Sequence, residues 1–370
     1  MDRGRRARGL LSGEDDHRSG SVPLVTRRAT AADVARAAGV SESTASRALS
    51  GRGYVSGRAL ARVRQAASEL GYVPNDIARS LKGQSTRVIG MVIDDLSQTF
   101  FAEVAAGIEA VLRSRGYRLF LAASGGESLE ESAALDEFET MRADGVIVAP
   151  ATPDSPAIVK SAVSRGVPVV EVDRRTEPGL CDAVLLHNEL GGYLATRHLL
   201  DLGHRRIAII SGPFTTGEER LGGYIRAFME AGIPIDERLV VRASFHPPDP
   251  SAVAGDLLDA NPDVTAVFAC NNILASGVVQ ALRARGRRIP GDVSVMGFDD
   301  VVWMSLLDAP LSTVAQPARE IGRQAAQLLL DRIEGLLQGP PVTLFLEPRL
   351  IIRESTAPPD GSELQTEVQA

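Results

Sequence analysis

No apolar run in the 370-residue sequence approaches the roughly 18 residues needed to cross a bilayer, so no membrane span is expected. Cysteine is scarce: Cys181 and Cys270 are the only two, each inside an apolar segment and neither in a CxxC pair. That pattern excludes a disulfide framework and a zinc site, and reads as reduced, buried thiols. There is no GxGxxG after a strand pattern, no GxSxG elbow, no GxxxxGK[ST] loop and no cluster of metal ligands. No enzymatic activity, cofactor or metal is therefore expected. His187, His198, His204 and His246 read as surface or packing residues, since even His198 and His204, six apart, do not share one helical face. The N-terminal stretch carries twin arginines, but Leu10 and Leu11 give way at once to polar residues, without the apolar segment of about 7–15 residues that an export signal requires. Residues 1–28 are expected to form a disordered extension, and residues from 357 on a disordered tail.

What is present suits a globular chain: 44% hydrophobic and 24% charged residues, with a mean hydropathy of +0.01. At roughly 150 residues per domain the length implies two or three folding units. The net charge of −7 hides an asymmetry. Residues 1–87 hold 16 Arg and Lys against 8 Asp and Glu, a net of +8, while the rest holds 24 against 39, a net of −15. A basic small unit joined to an acidic large one is expected if the first meets a polyanion and the second does not.

Residues 30–70 read as three helices. Thr30 can cap the first, with Asp33 at its third position, and Gly39 stops it after Ala38. Ser41 can cap the second, ESTASRAL, and the third is ALARVRQAASEL, closed by Gly71. Val34, Ala35, Ala38, Val40, Ala45, Leu49, Val63, Ala67 and Leu70 form the expected core, leaving Arg36, Arg47, Arg52, Arg58, Arg62 and Arg64 outward. Pro74 then ends one element and Asn75 can cap a short helix to Leu81. That helix falls below the roughly 12–15 residues needed for isolated stability, so something else must hold it when it forms.

From Arg87 onward the pattern changes to buried β-runs alternating with amphipathic helices: VIGMVI, YRLFLAAS, DGVIVAP and VPVVEVD, then RRIAIISG, LVVRAS, VTAVFACN and VSVMGFD. Two sets of four strands imply two similar lobes, each a doubly wound parallel sheet. A last helix, REIGRQAAQLLLDRIEG, and a strand run, TLFLEPRLIIRES, are expected to return across the lobes.

Within residues 30–50, small alanines at the helix crossing, Gly39 in the turn and Val40 in the gap have the spacing of a helix-turn-helix. The second helix is the reader, its N-terminal residues entering the major groove, where every base pair presents a different set of donors and acceptors. Glu42 and Ser43 occupy the outward first turn, and Thr44, Arg47 and Ser50 can reach phosphates or base edges.

The motif T-x-x-D-V-A-x-x-A-G-V-S-x-x-T-x-S-R-x-L over residues 30–49, Val55-Ser56, and G-Y-x-P-N-x-x-A-R-x-L over residues 71–81 resemble the lactose/galactose repressor family of bacterial transcription regulators. The resemblance runs from about residue 30 to 356. It implies a homodimer on double-stranded, pseudo-palindromic operator DNA, in the cytoplasm, with a small-molecule effector, a carbohydrate in kind, modulating the grip. It also implies that the junction is a hinge helix in the minor groove, with Asn75, Ala78 and the wedge residue Leu81 on that side. The domains expected are a helix-turn-helix at 29–71, a hinge at 72–86, and a two-lobed periplasmic-binding-protein-like sensor at 87–356. The N-lobe is expected at about 87–185 and 314–342, and the C-lobe at about 186–313 and 343–356.

Four further stretches resemble the family's sensor: DDLSQTFFAEV, VDRR, SGPFTTGEER, and FACNN followed by VMGFDD. They fall at strand ends, and ligands of open α/β sheets bind off the carboxyl ends of the strands. The resemblance therefore places Asp95, Phe100 and Phe101 on one wall of a cleft, with Asp173 at its edge. Arg220, Asn271, Phe298 and Asp299 form the other wall, with Gln316 at the crossover. Asp95 and Asp173 could instead be helix caps, and Arg220 a structural ion pair. Two departures stand out: Asn271-Asn272 where the family often has Asn-Asp, and Asp94-Asp95 with Gln98-Thr99 where it often has Pro-Asp and Asn-Pro. A solute-binding protein of similar two-lobed fold is the alternative, and it leaves residues 30–81 without a role. The segment after Ser355 has no leucine heptads, so no tetramerising coiled coil is expected.

Overall fold

The structure, a computed structural model, describes residues 29–50, 53–72, 85–152, 154–245 and 247–359. The chain divides into two units, residues 1–82 and 83–370. The expectations for residues 1–28, for Arg52 and His246, for the hinge residues Asn75, Ala78 and Leu81, and for residues 360–370 lie outside the described residues.

The small unit holds three helices, α1 (Ala31–Ala38), α2 (Glu42–Ser50) and α3 (Gly57–Glu69). A reciprocal cap starts α1: Asp33 N donates to Thr30 Oγ1 at 3.3 Å, and Thr30 N donates to Asp33 Oδ2 at 2.9 Å. Ser56 caps α3, so this helix begins two residues before the pattern suggested. Its buried stripe runs through Val63 and Ala66, packed with Val34, Ala35, Ala38, Ala45 and Ala48. Leu70, expected in the core, is instead 42% exposed. It sits at the C-cap, and the left-handed turn at Gly71 brings Tyr72 back against the core in its place.

The large unit contains two six-stranded sheets with orders β11-β5-β4-β3-β1-β2 and β12-β10-β9-β8-β6-β7. The first holds β1 (Val88–Ile93), β2 (Arg118–Ala123), β3 (Gly145–Val148), β4 (Val169–Val172), β5 (Asp182–Leu186) and β11 (Thr343–Leu346). The second holds β6 (Ile207–Ser211), β7 (Val240–Arg242), β8 (Ala266–Ala269), β9 (Ser294–Phe298), β10 (Ser312–Ala315) and β12 (Arg349–Ile351). All pairings are parallel except β10 with β12. The first lobe carries α4 (Thr99–Ser114), α5 (Ser128–Thr140), α6 (Ser155–Ser164) and the late helix α11 (Ala318–Ile333). The second carries α7 (Asn188–Asp201), α8 (Phe214–Glu230), α9 (Pro250–Ala260) and α10 (Asn272–Ala284).

Four strands per lobe were expected, and β5 and β10 are additions. Both follow connections without an α-helix, from β4 and from β9, where the alternation of strand and helix gives no cue. The expected single run TLFLEPRLIIRES is broken at Glu347-Pro348 into β11 in one sheet and β12 in the other. The expected lobe boundaries shift accordingly: β10 stays in the second lobe and β11 belongs to the first. The chain crosses between lobes at His187, at Gln316-Pro317 and at Glu347-Pro348; each proline lacks an N–H and cannot extend a strand ladder. Residues 357–359, expected in a disordered tail, are ordered, and Ala357 N donates to Ser294 Oγ at 3.0 Å.

Within each lobe, packed helices close to backbone contact. A Cβ at Gly192 on α7 would overlap the carbonyl oxygen of Arg220 on α8, and one at Gly223 that of Glu189. The pair α4 and α11 of the first lobe is closed the same way by Gly107 and Gly322.

Candidate functional site

The carboxyl ends of both sheets open onto a cleft of about 720 Å³ between the lobes. Of the nine residues expected there, Asp95, Phe100, Asp173, Arg220, Asn271, Asp299 and Gln316 line it, and Phe101 and Phe298 do not. Phe101 follows Phe100 by 100° around α4 and points into the first-lobe core, 1% exposed, with the two rings edge to face at 5.1 Å. Phe298 is fully buried beneath the Arg220 guanidinium, whose carbon stands 3.6 Å from the ring centroid. It supports the arginine rather than facing a ligand.

Arg220, 3% exposed, is held by Nε donating to Asn188 Oδ1 at 2.9 Å and Nη1 donating to the Cys270 carbonyl at 2.6 Å. Burial pushes its guanidinium pKa down, opposed by the charges of Asp299 and Asp173. It forms no ion pair among the described residues. Asp173, at φ 66°, receives Arg174 Nε at 2.9 Å; burial pushes its carboxyl up, against the pull of Arg174 and Arg220. Asp95 is no helix cap: it closes a turn, accepting from Ser97 N at 2.8 Å and Ser97 Oγ at 2.7 Å. Asn271 caps α10 through Leu274 N at 2.7 Å and donates to the Phe245 carbonyl at 2.9 Å, which fixes Phe245 at the cleft wall.

Asp299 accepts from Asn272 N at 3.2 Å, Asn272 Nδ2 at 3.0 Å and Gln316 Nε2 at 2.6 Å. This explains one departure noted in the sequence. Position 272 faces a carboxylate and supplies two donors, where a second carboxylate would repel. At the other departure, Gln98 Nε2 donates to Asp94 Oδ1 at 2.9 Å, and Asp94 Oδ2 accepts from Arg174 Nη2 at 3.5 Å.

Sequence reasoning missed Asn188, Phe245, Arg174 and Thr216. Phe245 follows β7, and the rule that ligands lie off strand carboxyl ends could have found it. Asn188 carries no such signal, because its role depends on α7 and α8 packing side by side. Both cysteines are buried, and burial pushes the Cys270 thiol to about 12 and the Cys181 thiol up as well, so neither is a nucleophile. Among the described residues no cluster of His, Cys, Asp and Glu could hold a metal ion, and no helix is long and apolar enough to cross a membrane.

In the small unit, Glu42, Ser43 and Arg47 stand exposed on α2 and Thr44 is half-buried, opposite the buried Ala45 and Ala48. Ser41 Oγ accepts from Thr44 N at 3.2 Å, and Arg47 Nε donates to the Ser43 carbonyl at 3.2 Å. Ser50 ends α2, and its side chain lies outside the described residues.

A helix-turn-helix unit and a two-lobed α/β cleft together define a DNA-binding regulator with a ligand-sensing domain. Residues 30–75 match the family described as bacterial regulatory proteins, lacI family, and residues 86–347 match the periplasmic binding proteins and sugar binding domain of LacI family. The chain belongs to the LacI family of transcription regulators, which are not enzymes. It is 36% identical to the ribose operon repressor of Haemophilus influenzae, over 88% of this chain and 98% of that one. It is 37% identical to the transcriptional regulator CelR of Thermobifida fusca, over 89% and 98%. Among solved structures, the complex of CelR with cellobiose is similar at 35% identity and a TM-score of 0.68, covering 89% of this chain and all of that one. The lac repressor dimer bound to operator and the anti-inducer ONPF is similar at 26% identity and a TM-score of 0.79, covering 90% and 100%.

Proposed function

We propose that the chain is a cytoplasmic, homodimeric repressor of a pseudo-palindromic operator, and that its effector is an uncharged polyol of the sugar class held in the cleft. The observation that carries the effector class is the cleft's inventory of groups. Four carboxylates, Asp94, Asp95, Asp173 and Asp299, face two guanidinia, Arg174 and Arg220, between the aromatic rings of Phe100 and Phe245. Arg174 is already engaged by Asp94 and Asp173. The surplus of negative charge disfavours phosphorylated or acidic sugars. Hydroxyls can donate to the aspartates and accept from Arg220, while the rings cover C–H faces.

The C-lobe groups are wired to the crossovers. Arg220 is one hydrogen bond from Asn188, beside the first crossing, and Asp299 is one from Gln316, at the second. An effector that engages both biases the angle between lobes, and allostery requires only that it bind two arrangements unequally. A dimer supplies two readers, since one small helix-turn-helix spans too few base pairs for specificity. In the hinge, Leu81 would wedge the minor groove flanked by Asn75 and Ala78.

The test is a thermal-shift screen of neutral sugars, sugar phosphates, uronic acids and nucleosides on the full chain, followed by operator binding with each hit. A neutral sugar that raises the melting temperature and changes operator affinity is expected. A hit confined to phosphorylated or acidic ligands would overturn the effector class.

A further inference from the structure

The outward face of α2 carries a single carboxylate, Glu42, at its first turn beside Ser43, with Ser46 and Arg47 one turn on. Glu42 is exposed, and no hydrogen bond or ion pair engages it among the described residues. Nothing in the fold of the small unit requires a carboxylate there: the core face of α2 is Ala45 and Ala48, and the cap is supplied by Ser41.

We propose that Glu42 sets one base of the operator, a cytosine read through its N4 amino group, in each half-site. The inference rests on the reading of α2 as the major-groove helix. An ionised carboxylate accepts hydrogen bonds and donates none. In the major groove only the amino groups of cytosine and adenine donate. Adenine N6 is flanked by its own N7 and by thymine O4, both acceptors that repel a carboxylate. Cytosine N4 has a C–H on one side, and its amino group faces Glu42 with a single acceptor, guanine O6, beside it. The surrounding phosphates also repel Glu42, so an unsatisfied carboxylate weakens binding to every other sequence. Glu42 therefore contributes selectivity rather than affinity.

The experiment is selection of duplexes from a random pool by the full-length wild type, Glu42→Gln and Glu42→Ala. The wild type is expected to select cytosine at one symmetric position per half-site, preferred about 5- to 150-fold over the other bases. Glu42→Gln is expected to shift that position to adenine, whose N6 and N7 match an amide. Glu42→Ala is expected to leave it degenerate, keep the rest of the site, and bind random DNA at least as tightly as the wild type. That last result also verifies a folded DNA-binding unit. The same cytosine selected by Glu42→Ala, or another base selected by the wild type, would overturn the proposal. A wild type that selects no sequence at all would instead sink the operator-binding reading beneath it.

Discussion

Arg220 Nε donates to Asn188 Oδ1 at 2.9 Å, and the same asparagine donates through Nδ2 to Glu219 Oε2 at 3.2 Å. Asn188 is 2% exposed and opens α7 just past the first crossing between lobes. The Arg220 guanidinium is thus aimed into the cleft by a residue at the crossover between lobes.

Asn188→Ala leaves the buried Nε of Arg220 without an acceptor. Stability should fall by about 1–3 kcal/mol in urea unfolding, and effector affinity by calorimetry should weaken with it. Unchanged affinity would show that Asn188 does not position the guanidinium.

The glycines of the α7–α8 contact should separate sharply. Gly192→Ala forces the helices apart against the Arg220 carbonyl and should cost about 1–3 kcal/mol or more. Gly222→Ala, whose new methyl lies 3.9 Å from Glu189 Cγ, should be neutral or gain up to about 1 kcal/mol from helix propensity. Thermal melts of the two variants side by side decide the matter.

Asn272→Asp would set a second carboxylate against Asp299, replacing the Nδ2 donor at 3.0 Å. The like charge and the lost donor should weaken effector affinity relative to wild type. Calorimetric titration of the two proteins should show the deficit; equal affinity would contradict it.

His204, 1% exposed, contacts Thr265 Oγ1 at 2.9 Å, Ser294 Oγ at 3.1 Å and the Ala357 carbonyl at 2.9 Å. Burial pushes its pKa below the ordinary 6.5, as it does for His198, which contacts Thr356 Oγ1 at 3.0 Å. A folded-state pKa below the unfolded one means the unfolded chain binds the proton first, so stability is complete above about 6.5 and declines as pH falls below it. Melting temperatures from pH 7.5 to 5.5 should show this fall, with a shallower slope in His204→Gln. Equal slopes would remove His204 from the account.

Arg47→Ala should weaken operator binding and reduce its salt dependence by about one ion, leaving effector affinity unchanged. Gel shifts at two salt concentrations and calorimetry on the same preparation separate these effects.

Local signals were legible because short-range physics sets them. Thr30 and Asp33 cap α1 three residues apart, and Asn271 and Asp299 follow strand ends that hydropathy marks out, while Arg220, inside α8, is placed at the cleft by the family resemblance. The strands β5 and β10 escaped because no helix precedes them, and the break at Glu347-Pro348 escaped because a strand run does not say which sheet each half joins.

The sequence by itself determined the three helices of the small unit, the alternation of strand and helix that follows them and, together with the family resemblance, most of the residues that converge on the cleft, since caps and periodicity depend on neighbours a few positions away. Only the tertiary structure decided that Phe100 and not Phe101 faces the cleft, that Phe298 lies under Arg220, and that Asn188 and Gln316 tie the ligand-facing charges to the crossovers. Those outcomes depend on which helix face meets which sheet, through contacts up to 78 positions apart along the chain.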